Sequence, residues 1–475
     1  MRRSARPAVG ALVLFLAACS GSPADPAATG TAAALEAWPD ASPDRPVVDL
    51  AFTVADDLTS VTGTERVEFT PDLDICELVF RLWPNKPATA AYGNALEVTS
   101  AEVDGLVVQP VAESAGAPDG APGTLVEVPL PSCVAAGATV TAELGFALTL
   151  GEGTDERVGV ARAGDAAWFG TAFPLLAWER GRGWARDPAV AVAGEMATSE
   201  TFELRSLDVS APPGYEVLGT GEALGTEEST GLTTHRFAAT AVRDVTVTVG
   251  RLEVLHREVD GVRLHLGAPQ SGTRAPLERW ADVVAESMTR VADQLGPPPY
   301  EDVWVSVLPD QTDGIEFPGA VQFGDISPGR DAWLVTHEVA HLWFYGLVGN
   351  NQARDPWLDE SFATFVQLVV DDEDPAATGA SPASRTGQVG QPMSYWGTLD
   401  EPSSAYVAGV YVAGGAALLE ARRAAGEEVF DDALRQYLAD NAHRVAVPAD
   451  VEGAFAGLPE VLEVLGEAGA LDGPG

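Results

Sequence analysis

Two histidines and a glutamate in the second half of the chain have the spacing of a metal-binding helix. They lie in the segment His337-Glu338-Val339-Ala340-His341, and positions i and i+4 share one face of a helix. Two imidazoles placed in this way can bind one zinc ion, while the intervening Glu338 can take a proton from an attacking water. The pattern predicts metal-assisted hydrolysis.

A third candidate ligand, Glu360, follows His341 after 18 intervening residues and opens a second predicted helix, WLDESFATF. The residues flanking the histidine pair are apolar, which favours a buried helix. Two histidines and one glutamate leave the fourth zinc position open, as a catalytic site requires. The alternative is a buried histidine pair with an unrelated surface carboxylate. We predict one zinc ion per chain, held by His337, His341 and Glu360.

The segments HEVAHLWFYGLV and DPWLDESFATF resemble the signature of the aminopeptidase N and leukotriene A-four hydrolase family, which are gluzincin peptidases with a thermolysin-like catalytic domain. Asp359 and Ser361 stand where the family usually has Asn and Gly, and neither is a metal ligand. The resemblance covers roughly residues 45–441, and its specific motifs fall within 314–419. It implies a zinc-dependent aminopeptidase with Glu338 as the general base.

A second motif, Gly314-Ile315-Glu316-Phe317-Pro318-Gly319, resembles the family's GAMEN element, a strand beside the substrate whose Glu binds the free α-amine. The residues themselves agree, because a predicted strand from Val303 to Leu308 leads towards a carboxylate upstream of the zinc helix. A charged acceptor in that place would pair with a peptide N-terminus. An exposed loop glutamate is the alternative. The resemblance implies that Glu316 and Gly314 bind substrate.

A tyrosine followed by an apolar helix resembles the family's Y-E-K-G segment, whose Tyr donates a hydrogen bond to the developing oxyanion. The match begins at Tyr411, although the Glu and Lys of that segment are missing. Tyr406 is the competing candidate, but the glycines after Tyr411 have the family's spacing. Residues Trp168 to Pro174 fall where the family has a second amine anchor, yet they contain no Gln or Glu at the expected point. We therefore expect a weaker preference for free N-termini than in longer members.

The first residues have the pattern of a targeting signal. Three arginines precede an apolar run from Ala8 to Ala18, which is too short to cross a bilayer as a helix. The run ends in LAAC and resembles a bacterial lipoprotein signal, in which Cys19 becomes the lipidated first residue; cleavage of an ordinary secretory signal is the alternative. We expect an extracytoplasmic protein attached to the bacterial cell membrane through its lipid anchor, with no other spanning segment.

Two further cysteines, Cys76 and Cys133, remain for the mature chain. In an oxidising compartment such a pair favours a disulfide. Two buried free thiols are the alternative.

The pattern of apolar residues predicts an α+β protein. Alternating stretches such as Val245 to Val249, and Leu78 to Trp83, predict strands, whereas residues 275–295 have helical spacing. The predicted organisation is a signal peptide (1–18), a lipidated Cys and disordered tether (19–44), an N-terminal antiparallel β-sandwich-like domain (45–254), and a thermolysin-like catalytic domain with C-terminal helices (255–475).

Charge excludes one class of partner. The chain has 70 acidic and 28 basic residues and a formal net charge of −42, which argues against nucleic acid because phosphate binding needs clustered Lys and Arg. The expected partners are peptides with a free N-terminus.

Several other functions stay open. A thermolysin-type zinc endopeptidase would share the metal ligands, and Glu316 argues against it. Epoxide hydrolysis, known from one branch of the family, has no specific support. A lipid-anchored binding protein with a relic metal site is disfavoured by the intact ligand set and Glu338. The sequence does not indicate the preferred N-terminal residue or the oligomeric state.

Overall fold

The computed structural model describes residues 37–151, 155–192, 196–311, 313–373 and 387–471, which belong to one compact unit. The predicted signal peptide, Cys19 and most of the predicted tether lie outside the described residues.

The N-terminal part is built almost entirely from strands, interrupted by a 3₁₀ turn (Trp83–Asn85) and a short helix α1 (Pro87–Ala90). In chain order the strands are β1 (Val47–Val54), β2 (Ser60–Phe69), β3 (Ile75–Arg81), β4 (Ala95–Val103), β5 (Leu106–Val108), β6 (Val111–Glu113), β7 (Leu125–Val134), β8 (Val140–Thr149), β9 (Val158–Val160), β10 (Ala166–Gly170), β11 (Leu175–Leu176), β12 (Trp178–Glu179), β13 (Gly183–Trp184), β14 (Phe202–Ala211), β15 (Glu216–Gly219), β16 (Glu222–Ser229), β17 (Leu232–Val242) and β18 (Thr246–Gly250).

Sixteen of these strands form one large sheet and two smaller ones that enclose a hydrophobic core, and β12 and β13 pair as a separate two-stranded ribbon. The large sheet has the order β16-β17-β14-β1-β2-β8-β4-β5, and the smaller sheets have the orders β15-β18-β10-β9 and β11-β3-β7-β6. The alternating burial along β1 explains the arrangement, because Val48, Leu50, Phe52 and Val54 point into the core while their neighbours face outwards.

The structure departs from the sequence prediction at two points in this part. The large sheet is not wholly antiparallel, since β1 pairs in parallel with β14. The strand predicted to reach Trp83 ends at Arg81, because Pro84 lacks the N–H that a ladder needs and lies in the 3₁₀ turn.

Cys76 on β3 and Cys133 on β7 are joined by a disulfide, as the sequence favoured.

The C-terminal part combines a five-stranded sheet with helices. Its strands are β19 (Leu252–Val259), β20 (Val262–Pro269), β21 (Asp302–Leu308), β22 (Gly314–Phe317), β23 (Ala320–Gly324), β24 (Gly349–Asn350) and β25 (Val445–Ala446). Its helices are α2 (Leu277–Leu295), α3 (Ala332–Ala340), α4 (Trp357–Val370), α5 (Met393–Trp396), α6 (Pro402–Tyr406), a π-helical turn (Val407–Val412), α7 (Ala413–Ala425), α8 (Glu427–Asn441), α9 (Pro448–Ala454) and α10 (Pro459–Glu467).

The five-stranded sheet has the order β19-β20-β21-β23-β22, with β20, β21 and β23 parallel and β22 antiparallel at the edge. Helix α3 is buried along its C-terminal half and contacts α2, α4 and β22. The edge strand β22 and the helix α4 therefore both contact α3.

Among the described residues, one helical run, Pro402–Ala425, is long and apolar enough to cross a membrane by its length and composition alone. The sequence prediction had no such segment beyond the signal. However, more than half of the most apolar part of this run is buried inside the protein, and α7 packs against α4 and α10. The run has the environment of a core helix.

Candidate metal centre and active site

Three buried side chains on α3 and α4 converge on one point. His337 Nε2 lies 3.2 Å from His341 Nε2, and Glu360 Oε2 lies 3.3 Å and 3.4 Å from these two nitrogens. His341 is the C-cap residue of α3, in right-handed helical conformation, so it retains the i, i+4 relation to His337. Glu360 lies in the first turn of α4.

The donor set fits zinc. Ligands about 2.0–2.1 Å from a tetrahedral zinc ion are separated by about 3.3–3.4 Å, which matches the triangle formed by the three ligand atoms. The other nitrogen of His341, Nδ1, lies 3.1 Å from the Phe344 carbonyl. A proton on Nδ1 donated to that carbonyl leaves the Nε2 lone pair for a metal. His337, His341 and Glu360 are therefore able to hold the zinc ion.

The charges of this cluster depend on one another. Burial disfavours the charged form of Glu360, but the histidines more than offset it and hold the pKa of Glu360 below its usual range. Burial also lowers the pKa of His337, whereas for His341 the carboxylates of Glu360, Glu316 and Glu338 outweigh burial and raise its pKa. The neighbouring Asp359 has a pKa raised to about 8 by burial and by Glu360.

Glu338, the predicted general base, is almost fully buried. It is 5% exposed, and its Oε2 atom is buried without a hydrogen-bond partner among the described residues. Burial raises the pKa of Glu338 well above its usual range, assisted by Glu316 and Glu360 and opposed by His341. A carboxylate in this state holds a proton more readily than one in water, which suits transient proton transfer.

The edge strand β22 brings Glu316 and Gly314 to the same cluster. The two residues are two positions apart, so they lie on one face of the strand. Ligand atoms of Glu316, Glu338 and His341 lie within 4.8 Å of one another. This second group could also hold a metal ion, but it shares His341 with the first group and does not form a separate site.

Glu316 is not a bare carboxylate, because its Oε1 atom accepts two hydrogen bonds. Arg157 Nη2 donates at 3.0 Å and Gln352 Nε2 at 3.2 Å. Burial raises the pKa of Glu316, and Arg157 provides the largest opposing effect. Sequence reasoning missed both partners, because neither belongs to a motif and Arg157 is 159 positions from Glu316.

Of the two candidate tyrosines, Tyr411 is the one beside the metal ligands. Its ring stacks on His337 at a centroid distance of 5.6 Å and an angle of 16°. Tyr406 contacts Tyr411 edge-on and also packs against Trp396. Tyr406 is 2% exposed, so its ring belongs to the core.

Ser361 connects helix α4, which carries Glu360, to the turn that carries Tyr411. Its hydroxyl donates to the Val410 carbonyl at 2.6 Å. Val410 and Tyr411 lie in the π-helical turn, a geometry that is frequent at functional sites. The serine that replaces the family's glycine therefore has a structural role that the sequence did not reveal.

Residues Trp168 to Pro174, proposed from the sequence to lie at the second amine anchor, form the end of β10 and the segment after it. Thr171 is buried with a φ of 53° and donates to Asp244 Oδ2 at 2.6 Å.

A carboxylate that sequence reasoning missed is Glu156, whose charge acts on Glu338. Burial and the adjacent Asp155 raise the pKa of Glu156 to about 7.

Comparisons with known proteins agree with this geometry. Residues 329–462, which include all three candidate metal ligands and Tyr411, match the Peptidase family M1 domain. No curated protein matches the chain.

Solved structures of M1 zinc metallopeptidases share the fold of almost the whole chain. The enzyme from Deinococcus radiodurans matches with a TM-score of 0.65 and 21% identity over 90% of this chain and 93% of that one. A mutant of it bound to the substrate Tyr-Ser-Ala matches with 0.65 and 20% over 91% and 95%. A two-domain M1 zinc metallopeptidase mutant bound to L-arginine matches with 0.66 and 20% over 90% and 94%.

Proposed function

We propose that the chain, whose residues 329–462 match the Peptidase family M1 domain, is a zinc metallopeptidase and, within this class, an aminopeptidase that removes N-terminal residues from peptides. The observation that carries the proposal is the position of Glu316. Its carboxylate lies within 4.8 Å of both the candidate base Glu338 and the ligand His341, where it can fix the end of a peptide next to the bond to be cut.

The protein's own groups divide the work of hydrolysis. His337, His341 and Glu360 would hold the zinc ion, which when bound polarises a carbonyl and lowers the pKa of water. Glu338 takes the proton of the attacking water and passes it to the leaving amine. The unpartnered Oε2 of Glu338 supports this role, because a buried acceptor without a donor is available to a substrate or water.

Tyr411 is the proposed donor to the oxyanion that develops during attack. Its stacking on His337 places the ring beside the metal ligands, and Ser361 fixes the turn from which it projects. Tyr406 is the weaker candidate, because its ring is buried against Trp396 and Tyr411.

Glu316 is the proposed acceptor of the substrate's α-ammonium group. Both hydrogen bonds from Arg157 and Gln352 go to Oε1, so Oε2 remains the oxygen that can meet the amine. A charge-assisted hydrogen bond of this kind favours the free N-terminus. No Gln or Glu lies between Trp168 and Pro174, so we expect the GAMEN-like strand to supply the amine-binding carboxylate alone. The preference for free over blocked N-termini should therefore be moderate.

A panel of aminoacyl-coumarin substrates, assayed with and without a chelator, tests the proposal. We expect release of coumarin from free aminoacyl substrates, loss of the activity on chelation, and recovery when zinc is restored. Hydrolysis confined to internally quenched peptides with blocked ends would replace the proposal by the thermolysin-type endopeptidase. No hydrolysis of any peptide by the zinc-loaded protein would favour a binding protein with a relic site.

We also propose that the protein is a lipoprotein attached to the outside of the cytoplasmic membrane through Cys19. The support is the sequence alone, namely the arginines and the apolar run that precede LAAC. Mass spectrometry of the native N-terminus should find diacylglyceryl-modified Cys19, and Cys19→Ser should remain unprocessed or be released. A mature chain that begins at an unmodified residue other than Cys19 would refute the lipid anchor.

A further inference from the structure

A buried arginine of the N-terminal part contacts the proposed amine-binding carboxylate. Arg157 precedes β9, and its side chain has 0% exposure. Its Nη2 atom donates to Glu316 Oε1 at 3.0 Å, while Nη1 lies 3.3 Å from Asp244 Oδ2 and donates to Thr171 Oγ1 at 2.9 Å. The guanidinium therefore bridges two carboxylates on different parts of the chain.

The position of this guanidinium is strongly constrained. Arg157 lies over the rings of Trp83 and Phe317, at 5.4 Å and 4.8 Å from their centroids. Asp244, which is also fully buried, accepts a further hydrogen bond from Tyr345 at 2.8 Å. Since Tyr345 lies four residues after the candidate ligand His341, Asp244 connects Arg157 to the segment that follows α3.

Arg157 cannot contact substrate itself, because none of its side chain is exposed. An uncharged side chain could not take the place of Arg157, because Glu316 lies among the carboxylates of Glu338 and Glu360. A buried carboxylate in such a place requires a cation and good hydrogen-bond geometry. Gln352 supplies a donor but no charge.

We propose that Arg157 is a positioning residue for N-terminal recognition: it fixes Glu316 through Oε1 and leaves Oε2 directed at the substrate's α-ammonium. This inference rests on the proposed aminopeptidase function. It assigns part of the specificity of the catalytic domain to a residue of the N-terminal part.

Arg157→Met tests the inference in the full-length, zinc-loaded protein, with steady-state kinetics on an aminoacyl-coumarin and on its N-acetylated analogue. We expect KM for the free-amine substrate to rise about tenfold or more, with a smaller change in kcat, unchanged cleavage of the acetylated analogue and unchanged zinc content. Arg157→Lys keeps the charge without the forked geometry and should recover part of the loss.

Arg81→Met is the matched control, because Arg81 is an equally buried arginine of the same part that donates to the carbonyls of Ala185 and Asp187. It should retain the wild-type KM. If Arg157→Met does not fold, Arg157→Met with Asp244→Asn leaves one buried carboxylate without its cation, Glu316, instead of two. The same rise in KM is expected for that double variant.

A comparison with Glu316→Gln separates this inference from the proposed function. We expect the KM of Arg157→Met combined with Glu316→Gln for the free-amine substrate to be no higher than that of Glu316→Gln alone, because both changes remove the same interaction. If Glu316→Gln loses the preference for free amines while Arg157→Met retains it, Arg157 has no positioning role and the aminopeptidase proposal stands. If the wild-type protein shows no such preference, the proposed function itself is wrong.

Discussion

Gly314 and Glu338 approach each other so closely that no side chain fits between them. A Cβ atom at position 314 would lie 2.4 Å from Cγ and 2.6 Å from Oε1 of Glu338. The glycine of the GAMEN-like strand therefore allows β22 to pack directly against the candidate base, and it limits where the carboxylate can lie.

Gly314→Ala should displace the Glu338 carboxylate and reduce kcat by about a hundredfold, the order of loss expected for an error of 1 Å at a catalytic group. Zinc content should stay unchanged, because no metal ligand lies on β22. Gly466→Ala on α10, where the added Cβ meets nothing within 4 Å, is the control and should keep wild-type kcat. Wild-type turnover in Gly314→Ala would show that this contact does not position the base.

Glu338→Gln should bind zinc normally but lose activity by several orders of magnitude. The carboxamide has nearly the same shape but cannot accept the proton of the attacking water. Metal analysis and kcat measured on the same preparation check this prediction. Near-normal turnover in a zinc-loaded variant would remove Glu338 from the mechanism.

His337→Ala and Glu360→Ala should each lose zinc and activity together, because each removes one of three protein ligands. Zinc per chain, determined by elemental analysis after dialysis, is the readout. Glu463→Ala changes an exposed glutamate on α10 and should retain one zinc ion per chain. Full occupancy in either ligand variant would contradict the assignment.

A carboxylate outside the active site offers a test of stability. Glu65 on β2 is 2% exposed, its strand neighbours are Leu50 and Leu144, and both of its oxygens lack a hydrogen-bond partner among the described residues. Burial raises the pKa of Glu65 well above its usual range. The folded protein therefore holds this proton more tightly than the unfolded chain, and stability falls as the pH rises from the unfolded pKa towards the folded one.

Glu65→Gln, which is neutral at every pH, should therefore raise Tm, and the gain should grow between acidic and mildly alkaline pH. Each kcal/mol corresponds to about 2–4 °C in a domain of 150–250 residues. Glu68→Gln on the same strand is the control, since Glu68 pairs with Arg66 and Arg205 and should show no gain. A Tm difference between wild type and Glu65→Gln that does not change with pH would contradict this account.

That the candidate metal ligands lie together could be predicted, because their spacing is local in sequence. Helical periodicity places His337 and His341 on one face of α3, and the family resemblance adds Glu360 at the start of α4. The strand that carries Glu316 was also predicted from the sequence, because Gly314 to Gly319 resemble the family's GAMEN element and a predicted strand precedes them.

The partners of those residues could not be predicted, because they come from distant segments without a motif. Arg157 and Asp244 reach the site through the packing of the N-terminal sheets against β22 and the loop after α3. A single arginine in a polar segment has no sequence signal that distinguishes a buried bridge from a solvated side chain. The π-helical turn at Val407–Val412 likewise has no periodicity that separates it from an ordinary helix.

The most direct test of the aminopeptidase proposal compares two peptides that differ only in N-acetylation. A free α-amine is cationic near neutral pH, since its pKa is about 7.7–8.0, and its charge-assisted bond to Glu316 is worth about 1.5–3 kcal/mol, or roughly ten- to a hundredfold in rate. Mass spectrometry of a time course should show single residues leaving the free peptide from its N-terminus while the acetylated peptide stays largely intact. Internal cleavage of the acetylated peptide, as fast as trimming of the free one, would contradict the proposal.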